Sequence, residues 1–270
     1  MNITFIGGGN MASALIGGLL QQGYAATQIR VVEISAEGRE KIKREFNVAA
    51  VAELAQGVSG SDIILLAVKP QQLSAVAQQL APLLKNQLII SIAAGIRAAD
   101  ISRWLGGYAH VVRAMPNTPA LIRAAVTGLY ALPGVSAEQK QNAAAMLAAV
   151  GSVLWLEREE LLDAVTAVSA SGPAYVFYFI EAMQQAAMEL GLNETQSRQL
   201  SLETFLGTAK LASQSNEDVA ALRARVTSEG GTTERAIQAM GNADIKQKIV
   251  RAIRAASERS RELSDEFGRK

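Results

Sequence analysis

The chain has 270 residues, 49% of them hydrophobic and 19% charged, with a formal net charge of +1. Such a composition describes a packed globular protein long enough for two ordinary domains, and the interspersed acids and bases offer no field for a nucleic acid backbone. With no cysteine and a single histidine, His110, the sequence excludes disulfides, thiolate nucleophiles and Cys-ligated or multi-histidine metal sites, so no metal centre is expected.

Met1–Leu20 is apolar but lacks the basic n-region of a signal peptide. The run Ile63–Val68 is bracketed by Asp62 and Lys69 and falls far short of the ~20 residues of a membrane span. A cytoplasmic protein without a membrane or nucleic acid partner is expected. From Asn2 to about Leu156, β-branched runs alternate with helical patterns, the signature of an α/β domain with a parallel sheet. The predicted strands are Ile3–Ile6, Ile29–Glu33, Ile63–Ala67, Leu88–Ile92, Val111–Ala114, Val126–Tyr130 and Ser152–Trp155. Between the first two, Met11, Leu15 and Leu19, with Ala12, Ile16 and Leu20, recur every fourth residue and give one apolar helix face.

Beyond about Glu157 only helical patterns remain. They predict helices over Ala174–Leu190, Glu194–Ser213, Asp218–Arg225 and Ile245 to about Phe267, and place the domain junction near Leu156–Leu162, dividing the chain into 1–158 and 159–270. The first of these helices is apolar nearly all round at its start, through Tyr175, Val176, Phe177, Tyr178, Phe179 and Ile180. A helix without a polar face is buried on all sides, which points to a subunit interface, the alternative being the centre of a small bundle. The mixed charges from Arg251 to Lys270 read as the solvated face of the last helix.

Directly after the first strand, Gly7-Gly8-Gly9-Asn10-Met11-Ala12 fits G-x-G-x-x-G/A. In this pattern the first glycine permits the tight turn, the second lets backbone approach a pyrophosphate, and the helix N-terminus favours the anion. Glu33 closes the second strand where a ribose-binding acid is expected, so a dinucleotide site follows. A carboxylate there favours NADH, whereas Ser35 and Arg39 could hold the extra phosphate of NADPH if Glu33 swung out; the preference stays open between the two. Ligands of open parallel sheets bind beyond the carboxyl ends of the strands. The loops Ala67-Val68-Lys69-Pro70, Ala93-Ala94-Gly95 and Pro116-Asn117-Thr118 are therefore expected to line the cofactor crevice with Gly7, Gly8, Gly9, Asn10, Met11, Glu33 and Ser35.

In the helical part, Ser169-Ala170-Ser171-Gly172-Pro173-Ala174-Tyr175 enters the long helix with proline suited to its first turn. Farther on, Val226-Thr227-Ser228-Glu229-Gly230-Gly231-Thr232-Thr233 combines two glycines with two threonines at a helix start. It reads either as an anion site of backbone N–H groups and hydroxyls or as an ordinary helix start with Thr232 as N-cap.

Taken in order, the glycine turn, Ala67-Val68-Lys69-Pro70, Arg113-Ala114-Met115-Pro116-Asn117-Thr118-Pro119, Ser169–Tyr175 and Val226–Thr233 resemble pyrroline-5-carboxylate reductase over essentially the full length. The resemblance implies a Rossmann-type dinucleotide-binding domain followed by an all-helical C-terminal dimerisation domain. It further implies reduction of the ring imine Δ1-pyrroline-5-carboxylate to L-proline by NADPH or NADH, as the last step of proline biosynthesis, in dimers assembled into a larger ring such as a decamer. By motif position, Thr233 is the catalytic threonine whose hydroxyl holds the ring nitrogen. Gly231 and Thr232 supply amides for the substrate carboxylate, with Ser171 and Gly230 beside them in the substrate site. The chain departs from the family where Ala170 replaces a common glycine, Glu229 a common proline, and Glu217-Asp218-Val219 a Glu-His-Pro. An asparagine near the adenosine ribose has no equivalent around Ala52–Leu54.

Two other readings compete. A β-hydroxyacid dehydrogenase would share the glycine turn and helical domain but needs a lysine on the long helix, and Gly172–Leu190 contains none. A non-catalytic dinucleotide sensor would share the fold alone. His110 reads as structural, and the two tryptophans, Trp104 and Trp155, as packing at sheet or helix edges.

Overall fold

The computed structural model describes residues 1–269. Lys270, the last member of the mixed-charge run, lies outside the described residues. Eight strands form one sheet: β1 (Ile3–Ile6), β2 (Ile29–Val32), β3 (Ala49–Val51), β4 (Ile63–Leu66), β5 (Leu88–Ser91), β6 (Val111–Met115), β7 (Ala125–Ala131) and β8 (Gly151–Trp155). Their order is β3-β2-β1-β4-β5-β6-β7-β8. All neighbours are parallel except β6 and β7, which pair antiparallel with Arg113 opposite Tyr130. The parallel strands β1, β4 and β5 are buried along their whole length, as strands covered on both faces must be, which is why they read as unbroken apolar runs.

The helices over the sheet are α1 (Asn10–Gln21), α2 (Ala36–Phe46), α3 (Leu54–Val58), α4 (Pro70–Leu80), α5 (Ala98–Trp104), α6 (Ala137–Leu147) and α7 (Leu161–Val165). On α1 the four-residue repeat does what its spacing dictates. Leu15, Ile16 and Leu19 are fully buried with Ile3, Phe5 and Ile90 in one apolar cluster, each burial contributing roughly 1.5–3 kcal/mol. A second cluster on the opposite face joins Ile64, Leu66, Leu73, Ala77, Leu80 and Trp104. Trp104 is thus a core residue of α5, while His110 faces Gln139 and stands edge-on to Tyr108.

The remaining helices are α8 (Gly172–Glu189), α9 (Glu194–Gln214), α10 (Val219–Arg225), α11 (Thr232–Asn242) and α12 (Ile245–Gly268). By contacts the chain groups into two compact units, Met1–Ser171 with the C-terminal stretch from Ala256, and Gly172–Ala255. The first unit thus contains the sheet, residues 159–171 and the last turns of α12. Those turns are not simply a solvated face. Ser260 and Ser264 are buried, Ser260 Oγ donates to Asp163 Oδ1 at 2.6 Å, and Asp265 pairs with Arg97. In the second unit, α8 and α9 pack as neighbours, and α9 begins on a capping box in which Asn193 and Gln196 satisfy one another's backbone N–H.

Candidate active site

Beyond the carboxyl ends of β1, β2 and β4 lies a cleft of about 990 Å³. The glycine turn forms its floor. Gly7 has φ +100°, and a Cβ there would stand 2.8 Å from the carbonyl oxygen of Ala67, so only glycine lets the turn lie against the end of β4. Gly9, at the N-cap of α1, would have nothing within 4 Å of an added Cβ and has no side-chain cap. The head of α1 therefore presents amides to open space, as a pyrophosphate seat requires. Gly7, Gly8, Gly9, Glu33, Ser35, Ala67, Val68 and Lys69 all line this cleft. Asn10 and Met11 open α1, and Pro70 occupies the first helical position of α4 after Lys69.

Glu33 is held more firmly than its sequence position suggests. Its Oε2 accepts from the Gly8 N–H at 3.0 Å and its Oε1 from the Ser35 N–H at 2.9 Å. Gly38 passes so close that a Cβ would strike Glu33 Cγ at 2.7 Å. Arg39 donates to the carbonyls of Glu33 and Ile34 at 2.8 and 2.9 Å, and Ser35 caps α2 through Gly38 N–H. Glu33, Ser35 and Arg39 form one hydrogen-bonded corner.

The residues of the later loops are not among those lining this cleft. Ala93 is buried, and Gly95, at φ +69°, meets α12, where a Cβ would fall 2.9 Å from Leu263 Cβ. Pro116, Asn117 and Thr118 follow β6. Asn117 occupies an N-cap position without capping, because its carboxamide bonds elsewhere: Oδ1 accepts from the Val126 N–H at 3.0 Å and Nδ2 donates to the Ser169 carbonyl at 3.1 Å. Ser169 belongs to a π-turn, Thr166–Ala170, closed by Ser171 N–H donating to Thr166 O at 2.9 Å.

In the second unit, α11 starts at Thr232 with Gly231 at the N-cap and no side-chain cap. Thr232 is thus the first helical residue and not the cap, because the extended backbone that a cap residue needs falls one residue earlier, at Gly231, which has no side chain to cap with. Gly230 has φ +70° and its N–H donates to Glu234 Oε2 at 2.8 Å, while Gly231 N–H donates to Ser228 O at 3.1 Å. Thr232 and Thr233 are exposed at the head of the helix. Glu229 is exposed, and Glu217 pairs with Arg225 at 2.8 Å.

Comparison with known proteins bears on these two features together. Residues 159–263 match the family model for pyrroline-5-carboxylate reductase dimerisation, and residues 2–95 match a model described as NADP oxidoreductase coenzyme F420-dependent. The chain is 50% identical over 267 residues to the pyrroline-5-carboxylate reductase of Pseudomonas aeruginosa, covering 98% of both chains. The chain belongs to the pyrroline-5-carboxylate reductase family. Among solved structures of that family, the Coxiella burnetii enzyme superposes with a TM-score of 0.93 at 40% identity, covering 97% of this chain and 98% of that one. The Plasmodium falciparum pyrroline carboxylate reductase with NADP bound gives 0.88 at 26% identity, covering 98% of each.

Membership also accounts for α8. Phe177 and Tyr178 are 66% and 71% exposed, and Val176, Met183 and Met188 are exposed as well. Large apolar side chains exposed in this number along one helix suit an association surface, and the matching family model is one of dimerisation. No helix among the described residues is long and apolar enough to cross a membrane, and no group of three or more metal-ligating side chains occurs among them. Several cleft residues escaped the sequence reading: Ile34, Ala52, Glu53, Gln72, Val76 and Gln79. The loop around Ala52 is marked in the sequence only by the asparagine it lacks, and the α4 residues carry no motif.

Proposed function

We infer that the protein is a pyrroline-5-carboxylate reductase that converts Δ1-pyrroline-5-carboxylate to L-proline, the last step of proline biosynthesis, with NADPH or NADH as reductant. The observation that carries this reading is one chain holding both an uncapped glycine turn over a nucleotide-sized cleft and a second uncapped helix head, at α11, flanked by two exposed threonines. The first suits a pyrophosphate and the second a carboxylate. The nicotinamide, when bound, supplies the hydride.

The residues of the chain do the rest. Gly7, Gly8, Gly9, Asn10 and Met11 seat the pyrophosphate, and Lys69 adds a positive charge at the same wall. Glu33 and Ser35 face the ribose. Gly230, Gly231 and Thr232 hold the substrate carboxylate, Ser171 lies on the substrate side, and the Thr233 hydroxyl orients the ring nitrogen. A protonated imine is already a strong hydride acceptor, so the site has to orient and anchor more than it has to donate a proton. This is why a chain with one histidine and no metal-ligand cluster among its described residues suffices. The absence of lysine from Gly172 to Leu190 disfavours a hydroxyacid dehydrogenase.

The functional division we favour is a nucleotide domain, 1–158, and a substrate and dimerisation domain, 159–270, in a cytoplasmic enzyme. Homodimers built on α8, an association that the exposed Phe177 and Tyr178 support, assemble into a larger ring such as a decamer. The deciding experiment follows substrate-dependent oxidation of NADPH and of NADH by purified protein. Rapid loss of reduced nicotinamide with pyrroline-5-carboxylate is expected, and demonstrated cofactor binding without turnover would refute the assignment.

A further inference from the structure

Asn117 stands at an unusual crossing. It lies in the loop after β6, is 9% exposed, and occupies an N-cap position, where asparagine is normally used to cap the turn that follows. Its side chain makes no such bond. Both ends of the carboxamide are instead committed to distant backbone, Oδ1 to the start of β7 at Val126 and Nδ2 to Ser169 in the π-turn.

The need for the second bond is written in the sequence. In a continuous helix, the carbonyl of Ser169 would accept from the N–H four residues on, but that residue is Pro173, which has none. The Ser169 and Thr166 hydroxyls cannot help, since each donates back to a carbonyl four residues earlier, Val165 and Leu162. Asn117 Nδ2 thus provides a donor that the helix lacks. π-turns are rare and occur frequently at functional sites. The turn here is closed by the N–H of Ser171, so the backbone position of Ser171 is set by it.

We propose that Asn117 is a positioning residue that ties the loop after β6 to the π-turn and so fixes Ser171 relative to that loop, without itself contacting the cofactor. The proposal rests on the reductase reading, which gives Ser171 its place on the substrate side.

The test uses the full-length protein and the variants Asn117→Asp and Asn117→Ser, with pyrroline-5-carboxylate and NADPH. Aspartate keeps an acceptor for Val126 but loses the donor to Ser169. Serine loses both without adding charge, and keeps the test open if the aspartate variant fails to fold. The expected result is a kcat lower by on the order of 10–100-fold with a raised substrate KM, the scale of a small misplacement at a reacting centre. The NADPH Kd should stay within about twofold and Tm within about 4 °C of the parent.

A third variant separates positioning from mere satisfaction of a carbonyl. Pro173→Ala restores an N–H four residues after Ser169 without restoring the tie to the loop, and on this proposal it does not rescue Asn117→Ser. Unchanged kcat in the Asn117 variants, a loss of affinity for NADPH equal to the loss of kcat/KM, or full rescue by Pro173→Ala would each overturn the proposal. A parent protein without turnover would overturn the reductase reading, and the proposal with it.

Discussion

The pair Arg113–Glu159 offers a quantitative test of how the first unit is held together. Arg113 sits in β6 between Ser91 and Tyr130, with its side chain only 4% exposed, and its guanidinium meets Glu159 at 3.0 Å, whose side chain is 16% exposed. Glu159 Oε1 also accepts from the Ala98 N–H at 2.6 Å, so one carboxylate joins the sheet to the first turn of α5. Removing either partner leaves the other charge uncompensated, and the two losses are unequal. Glu159→Gln strands a guanidinium that has almost no access to water, which costs about 3–5 kcal/mol. Arg113→Met strands a carboxylate that keeps the Ala98 bond and some solvent, so the lower value of about 2–3 kcal/mol is expected. The double variant leaves neither member of the pair without its partner, and should be less destabilised than the sum by about 2 kcal/mol. Urea unfolding midpoints at one fixed protein concentration measure all three, the fixed concentration being necessary because an oligomer's stability depends on it. Additivity of the single effects within ~0.5 kcal/mol would refute the reasoning.

Gly7→Ala combines a φ of +100° with a Cβ 2.8 Å from Ala67 O, and should lower stability by about 2–3 kcal/mol and weaken NADPH binding, read by Tm and by titration. Parental Tm and affinity in that variant would mean that the turn yields more freely than its geometry indicates. Thr233→Ala should reduce kcat/KM for pyrroline-5-carboxylate with little change in NADPH affinity, and an unchanged specificity constant would remove Thr233 from the site. Burial pushes the Tyr108 hydroxyl, which donates to Gln87 O at 2.7 Å, up to about 12. Because the unfolded tyrosine ionises near pH ~10, this raised value contributes stability that is fully present below that pH and is lost as pH rises toward the folded value. Tyr108→Phe should flatten the alkaline limb of a stability-versus-pH curve, and an identical limb in the variant would contradict it.

Much of the architecture was legible because long periodic or fully buried segments carry redundant signals. The strands from Ile3 and Ile63 and the helices from Glu194 and Ile245 begin where the pattern placed them. What escaped was set by short or distant interactions. β3 is three residues, Ala49–Val51, with two alanines and an edge position, too little to show a period. The antiparallel pairing of β7 depends on the connection over 116–124, which is shorter than the ~12 residues that a parallel crossover needs. Of the candidate site, the glycine turn was legible from local spacing, whereas spacing alone left the threonines of α11 open between an anion site and an ordinary helix start, and only the family resemblance gave them a role. The double commitment of Glu33 and the bond from Asn117 to Ser169, 52 residues away, are tertiary and leave no local trace.

The last helix gives the chain an order of assembly. α12 starts at Ile245, yet from Ala256 onward it belongs to the unit that contains the sheet, with Leu263 against Gly95 and Ser260 on Asp163. During synthesis, the sheet and its nucleotide cleft emerge from the ribosome first, but their unit is completed only when the final turns of the chain follow. A polypeptide cut short before Ala256 therefore loses part of its first unit as well as its second, so that the integrity of the carboxyl end is registered in the middle of the sequence, around Gly95 and Asp163.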